Sequence, residues 1–250
     1  MPCYVRTLAG SLARGYDLRA LWRSVVASGL EFLFPARCVG CGQVGDLLCG
    51  ACRATLQPLV PPFCDRCGRP LEKGGTCRRC RASMPRIAGI RSAYRFEGAM
   101  RQAIHALKYK DVTALALPLA QLLLETVEPM RAHVDLAVPV PLHSRRLRAR
   151  GYNQAVLVLR ELGRILDLPC LESAVQRVRD TPSQVQVGGW ENRRENVRGA
   201  FRCQDPRVCG QRVLILDDVC TTGSTLVACS ESLYAAGAAS VRGVTVAREV

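Results

Sequence analysis

Residues 213–225 read Val-Leu-Ile-Leu-Asp-Asp-Val-Cys-Thr-Thr-Gly-Ser-Thr, and the reading of the whole chain turns on them. Val213 to Leu216 form a short, unbroken apolar run, the pattern of a central strand in a parallel sheet. Asp217 and Asp218 follow, then a loop of small hydroxylated residues, then a helix expected over 223–236 and closed by Gly237. A strand of this kind holds the loop rigidly. Thr221, Thr222, Gly223, Ser224 and Thr225 can then offer backbone N–H groups and hydroxyls to one phosphate. The helix adds the positive end of its dipole. The two aspartates fall at the carboxyl end of the strand, where open α/β sheets bind ligands. Carboxylates there can accept hydrogen bonds from two ribose hydroxyls. An ordinary strand–turn–helix with a Thr or Ser cap does not account for two acids behind four apolar residues. A Walker A loop is excluded, because no G-x-x-x-x-G-K-[ST] occurs.

Elements alternate on both sides of this run. Strands are expected over 87–96, 135–140, 175–178 and 241–246, and helices over 100–108, 113–128 and 153–166. Pro118 either starts or kinks the helix over 113–128. Such alternation predicts an α/β domain with a mainly parallel sheet flanked by helices over 86–250. Within residues 1–35 an amphipathic helix is expected over 12–34, with Leu18, Leu21, Trp22, Val25 and Val26 at helical spacing and Pro35 ending it.

Residues 36–85 differ. Gly, Cys, Pro and Arg dominate, so the segment lacks the apolar residues for a core and must be held by something else. Eight of the chain's 14 cysteines lie here in four C-x-x-C pairs. Cys38, Cys41, Cys49 and Cys52 form one block, and Cys64, Cys67, Cys77 and Cys80 a second, an internal repeat of about 26 residues. Two thiolates three residues apart on a tight turn face one side of a metal, and Gly42 and Gly68 let the backbone reverse after each first pair. Two such turns make a tetrahedral S₄ site suited to Zn²⁺. All four positions are then protein sulfur, so both zinc ions are structural. The pairs can join sequentially or interleave; the repeat and the Pro61-Pro62 break favour sequential pairing. Repeated two-residue gaps do not suit a secreted disulfide framework, which predicts a reducing, cytoplasmic location.

The chain has 250 residues and a net charge of +14, with arginine supplying 32 of 35 basic residues. The longest charge-free stretch, Val112 to Leu124, is too short for a membrane span of about 20 residues. Arg6, Arg14, Arg19 and Arg23 interrupt the N-terminus before a signal-peptide core can form. Excess positive charge allows affinity for phosphates or nucleic acid and equally fits a solvated surface. Residues 136–160 contain Arg145, Arg146, Arg148, Arg150 and Arg160 and no acid. The cluster could meet a pyrophosphate or a nucleic acid backbone, though a solvated basic turn would look the same. Aromatic residues make up only 5%, with Tyr109, Tyr152 and Trp190 as candidate stacking residues. Contact with DNA would therefore lean on arginine and phosphate and depend strongly on salt.

The run over 213–225 resembles the ribose-phosphate fingerprint of type I phosphoribosyltransferases. Only Cys220 stands where a bulkier apolar residue is more usual. Further stretches resemble one family, the ComF (ComFC) proteins: Phe34-Pro35, Leu107-Lys108-Tyr109, Val138-Pro139-Val140-Pro141, Arg150-Gly151-Tyr152-Asn153-Gln154, Arg179 to Gln184 and Arg194 to Phe201. With the cysteine repeat, the resemblance spans about residues 30–250. It implies a type I phosphoribosyltransferase-like fold behind a double zinc ribbon. Asp217 and Asp218 would hold the ribose of phosphoribosyl pyrophosphate, and residues 221–225 its 5′-phosphate. Leu142, His143 and Arg145 would lie beside the pyrophosphate with magnesium, and residues 179–198 would correspond to a flap. The family is linked to natural transformation, so single-stranded DNA and a competence helicase are the implied partners. His143 could bind phosphate or donate a proton. Cys220 sits in the loop just before a helix N-terminus, a position that lowers a thiol pKa and predicts ligand protection from alkylation. Two readings stand side by side. One is a DNA-uptake protein that retains ribose-phosphate binding. The other is an enzyme that transfers phosphoribose to a nitrogenous base or ammonia.

Overall fold

The computed structural model describes residues 35–83, 85–180, 197 and 199–250. The helix expected over 12–34, Trp190 and most of segment 179–198 lie outside the described residues. Four strands form one parallel sheet in the order β1 (Gly89–Arg95), β6 (Ser240–Arg248), β5 (Arg212–Cys220) and β2 (Leu136–Pro139). A separate antiparallel pair joins β3 (Val175–Arg177) to β4 (Phe201–Cys203).

Strand alternation splits the core into two layers. Leu214, Leu216, Val244 and Val246 pack on one face with α3 (Gly98–Tyr109), α4 (Ala116–Val127) and α6 (Gln154–Leu166). Val213, Ile215 and Val241 pack on the other with α7 (Ser224–Ala235). Helix α6 reads as an amphipathic stripe, and Asn153 caps it by accepting from the Ala155 N–H at 3.0 Å. Pro118 falls in the first turn of α4, after a 3₁₀ turn over Thr113–Leu115, so its missing N–H breaks no helical bond.

Several elements depart from the sequence expectation, β4 among them, and two of these bear on the site. Strand β5 runs past Leu216 to Cys220, because β6 continues beside it as far as Arg248. The aspartates therefore belong to the strand itself. A short helix, α5 (Ser144–Arg150), occupies the arginine-rich turn. It carries no apolar stripe, so periodicity gave no sign of it.

The cysteine-rich segment, with α1 (Gly50–Ala54) and α2 (Arg78–Ser83), lies against the outer edge of the sheet. Leu59 N–H donates to Ala93 O and Arg95 N–H to Gln57 O, both at 2.8 Å. Further along, Ile90 N–H donates to Arg66 O at 2.8 Å. These bonds occupy the free side of β1. Among the described residues, no helix is long and apolar enough to cross a membrane.

Candidate functional site

The eight repeat cysteines gather into two separate clusters with sequential pairing: Cys38, Cys41, Cys49 and Cys52, then Cys64, Cys67, Cys77 and Cys80. Within each, all four Sγ atoms lie within 4.8 Å of one another. Four zinc–sulfur bonds of about 2.3 Å in a tetrahedron place sulfurs about 3.8 Å apart. Cys41 and Cys49 Sγ are 3.7 Å apart, and Cys67 and Cys77 Sγ 3.9 Å. Backbone N–H groups aim at the sulfurs: Cys49 N–H at Cys38 Sγ (3.4 Å), and Cys77 N–H at Cys64 Sγ (3.3 Å). Burial pushes the Cys38 and Cys64 thiols up, but these N–H groups and their neighbours outweigh it and hold both at about 6. Three others shift the opposite way: the Cys38 sulfur chiefly raises Cys52, and burial chiefly raises Cys67 and Cys80. It is therefore the tetrahedral sulfur spacing that fits both donor sets to structural zinc.

A cleft of about 230 Å³ opens over the carboxyl ends of β5 and β2. Asp217 and Asp218 leave β5 on opposite pleat faces, yet both line this cleft because it straddles the strand end. Asp218 is 4% exposed. Its Oδ1 lies 2.8 Å from Lys108 Nζ, and its Oδ2 is buried with no hydrogen-bond partner among the described residues. Burial works against the Lys108 charge, but Asp218 and then Asp217 outweigh it and raise the Lys108 pKa. Asp217 accepts from the Asp218 N–H at 2.9 Å. Burial first, and Asp218 second, push its pKa up to about 7, against the pull of Lys108 and Arg177. Arg146, Arg177, Gln154, Glu249 and Leu142 complete the polar and apolar walls.

The hydroxyl loop connects β5 to α7. Gly223 sits at φ +83°, where a β-carbon would be strained, and precedes the first turn of α7. Thr222 Oγ1 lies 2.8 Å from Ser224 Oγ and accepts from the Ser224 N–H at 3.3 Å. Among the described residues, no protein acceptor meets the N–H groups of Thr222 and Gly223.

Asp217, Asp218, Thr221, Thr225 and Leu142 thus share the cleft. Thr222, Gly223 and Ser224 are not among the residues lining the cleft; they border a separate, much smaller gap on the zinc-ribbon side. His143 and Arg145 point elsewhere: His143 Nδ1 lies 3.4 Å from Asp180 Oδ1, and Arg145 Nη1 3.7 Å from Asp180 Oδ2. His143 also caps α5, accepting from the Arg145 N–H at 3.4 Å. The Cys220 expectation is corrected. That thiol is 2% exposed, and burial pushes its pKa up to about 11, with Arg248 pulling weakly the other way. Lys108 and Arg177 were given no such place by sequence reasoning, whereas the arginine cluster that includes Arg146 was offered for pyrophosphate or a nucleic acid backbone. Lys108 stood within a quoted motif, but nothing around Arg177 marked it.

The arrangement defines a class: a phosphoribosyltransferase-type α/β domain whose sheet edge is covered by a double zinc ribbon. Two family models agree with this class. The phosphoribosyl transferase domain family matches residues 152–249, and the double zinc ribbon domain family matches residues 29–81. The DNA utilization protein YhgH of Salmonella typhimurium is 32% identical over 201 residues, covering 78% of this chain and 87% of that protein. Competence protein F of Haemophilus influenzae is 31% identical over 218 residues, covering 82% and 93%. A purine phosphoribosyltransferase structure from Pyrococcus horikoshii aligns with 18% identity and a TM-score of 0.32, covering 53% of this chain and 83% of that one. The chain belongs to the ComF family of competence proteins.

Proposed function

We propose that the cleft binds a ribose 5-phosphate, with phosphoribosyl pyrophosphate and magnesium as the fullest ligand, and that the protein handles DNA during its uptake. One observation carries the first half: Asp218, whose buried Oδ2 has no hydrogen-bond partner among the described residues, lines the cleft together with Asp217, Thr221 and Thr225. A buried carboxylate oxygen without a donor is costly unless a ligand supplies one. A ribose diol supplies two. Lys108, Arg146 and Arg177 bring positive charge to the same cleft, where a pyrophosphate would need it. Magnesium bound with the substrate would neutralise pyrophosphate charge, and Asp217 and Asp218 are carboxylates in the cleft that could meet it. If transfer follows, a nitrogen of a base or ammonia bonds to the anomeric carbon while the bond to pyrophosphate breaks and its electron pair leaves with pyrophosphate, the departing anion being stabilised by the chain's cations.

The second half rests on relatives whose names refer to competence and DNA utilization, and on α5. Arg145 and Arg148 are exposed on that helix, and Arg146 and Arg150 are partly so. Arg150 stacks over Tyr109 at 5.3 Å, and Tyr109 is 69% exposed. An arginine face with an adjoining exposed ring suits a single-stranded backbone and its bases.

Calorimetry with phosphoribosyl pyrophosphate and magnesium tests the first half. Saturable heat in the wild type, lost in Asp218→Asn, is expected; no heat in the wild type overturns it. Gel shifts with single-stranded DNA test the second. Each phosphate that a cation neutralises adds about 0.7 to the slope of log affinity against log salt. Arg145→Gln with Arg148→Gln should flatten that slope by about 1.4. The alternative, active transfer to a base or ammonia, is favoured by the intact loop and acidic pair. Pyrophosphate release at enzymatic rates, abolished in Asp217→Ala, would put it first.

A further inference from the structure

The second zinc knuckle is not merely adjacent to the hydroxyl loop; it holds it. Arg79 lies between the zinc ligands Cys77 and Cys80, and its Nη2 donates to the Thr222 carbonyl at 2.7 Å. Arg248 ends β6, is 1% exposed and bridges the two parts. Its Nη1 donates to the Thr221 carbonyl at 3.3 Å and its Nη2 to the carbonyl of Cys67, another ligand of the same zinc. The gap between knuckle and loop measures about 20 Å³, room for one water and not for a phosphate.

The knuckle itself is pinned. A β-carbon on Gly68 would stand 2.2 Å from the carbonyl oxygen of Ile90, so the turn after Cys67 sits directly on β1. Arg66 adds a bond from Nη1 to the Ile87 carbonyl at 3.0 Å. The first cluster touches something else. Gly40 beside Cys41 approaches Ala99 of α3, and Arg53 Nε donates to Leu48 O at 2.9 Å within its own block.

Peptide geometry gives these bonds a consequence. The peptides from Thr221 to Thr222 and from Thr222 to Gly223 are trans, so each carbonyl points opposite to the next residue's N–H. Drawing the Thr221 and Thr222 carbonyls toward the ribbon turns the N–H groups of Thr222 and Gly223 away from it. Those are the two N–H groups without a protein acceptor among the described residues. We propose that Arg79 and Arg248 are positioning residues that couple the second zinc site, and not the first, to the phosphate affinity of the loop. Zinc at Cys64, Cys67, Cys77 and Cys80 thereby presets two donors for an anion. This inference rests on the reading of residues 221–225 as a phosphate loop.

The test uses the full chain and ribose 5-phosphate as probe. Arg79→Gln keeps every zinc ligand. It should weaken calorimetric affinity about tenfold, the scale of one charged hydrogen bond, while zinc content and thermal midpoint hold. Arg79→Lys should recover part of the loss. Cys77→Ser should lose at least as much, and Arg53→Gln in the first block should lose nothing. Unchanged affinity in Arg79→Gln, or equal loss in Arg53→Gln, overturns the inference. If the wild type takes up no ribose 5-phosphate, the proposed function fails, and amide exchange without ligand decides this point separately. Faster exchange at Thr222 and Gly223 in Arg79→Gln and Cys77→Ser, but not in Arg53→Gln, supports it. Equal exchange in all four proteins overturns it.

Discussion

Asp217 carries the most distinctive electrostatics among the residues of the cleft. Its usual pKa of 3.8 is raised to about 7 by burial and by Asp218. A carboxyl group with a raised folded pKa favours the fold at low pH, and this contribution is lost as pH climbs from about 4 through about 7. Asp217→Asn should therefore raise the thermal midpoint at pH 8 and change it little at pH 4. A calorimetric series across that range would show whether the two curves diverge toward alkaline pH. Cys220 makes a contrasting prediction. Its buried thiol, pushed up to about 11, should react slowly with iodoacetamide whether or not a sugar phosphate is present. Mass spectrometry of the tryptic peptide would reveal fast labelling if this is wrong. Sequence position pointed the other way for Cys220, because closeness to a helix start says nothing of which way a side chain faces. Strand pairing settles that: Cys220 lies opposite Arg248 in the ladder, with its sulfur near Cys67 rather than in the cleft.

At the scale of elements, legibility followed the hydrophobic pattern. Val213–Leu216 and the stripe of α6 announced themselves because burial imposes a period on them. The polar continuation of β5 to Cys220 carried no such period, and neither did α5, whose seven residues include four arginines. The cysteine blocks were legible for a different reason: metal geometry fixes their spacing, so their pairing is nearly local. What the sequence could not show was the seating of those blocks on the sheet, since the bonds from Arg79 and Arg248 join residues 143 and 181 positions apart. Gly68 reports that seating best. It has φ +67° and no room for a β-carbon against a backbone oxygen of β1. Gly68→Ala should cost more than the roughly 1–2 kcal/mol that a left-handed conformation alone imposes. Thermal unfolding, read alongside zinc content, measures this, and a midpoint equal to wild type would show that the knuckle can slide.

Over the described residues the protein is a sheet with helices packed on both faces and one edge closed by metal-bound loops. The two core layers meet at β5 and β6, which also carry Asp217, Asp218 and Arg248. Stripping zinc with a chelator should therefore disturb more than the ribbon. Structural zinc contributes about 10–16 kcal/mol of apparent binding energy in small zinc domains, far more than most single interactions. Far-UV circular dichroism before and after chelation, with zinc added back, would show whether the α/β part survives alone. Its fate depends on β1. The bonds at Ala93, Gln57 and Arg66 that the ribbon makes with this strand are the ones that would otherwise stay open. A demetallated chain would bare an unpaired ladder flanked by buried apolar residues, an invitation to stack strand upon strand with its neighbours. Metal starvation would thus surface as precipitation that grows with protein concentration, long before any failure of chemistry could be noticed.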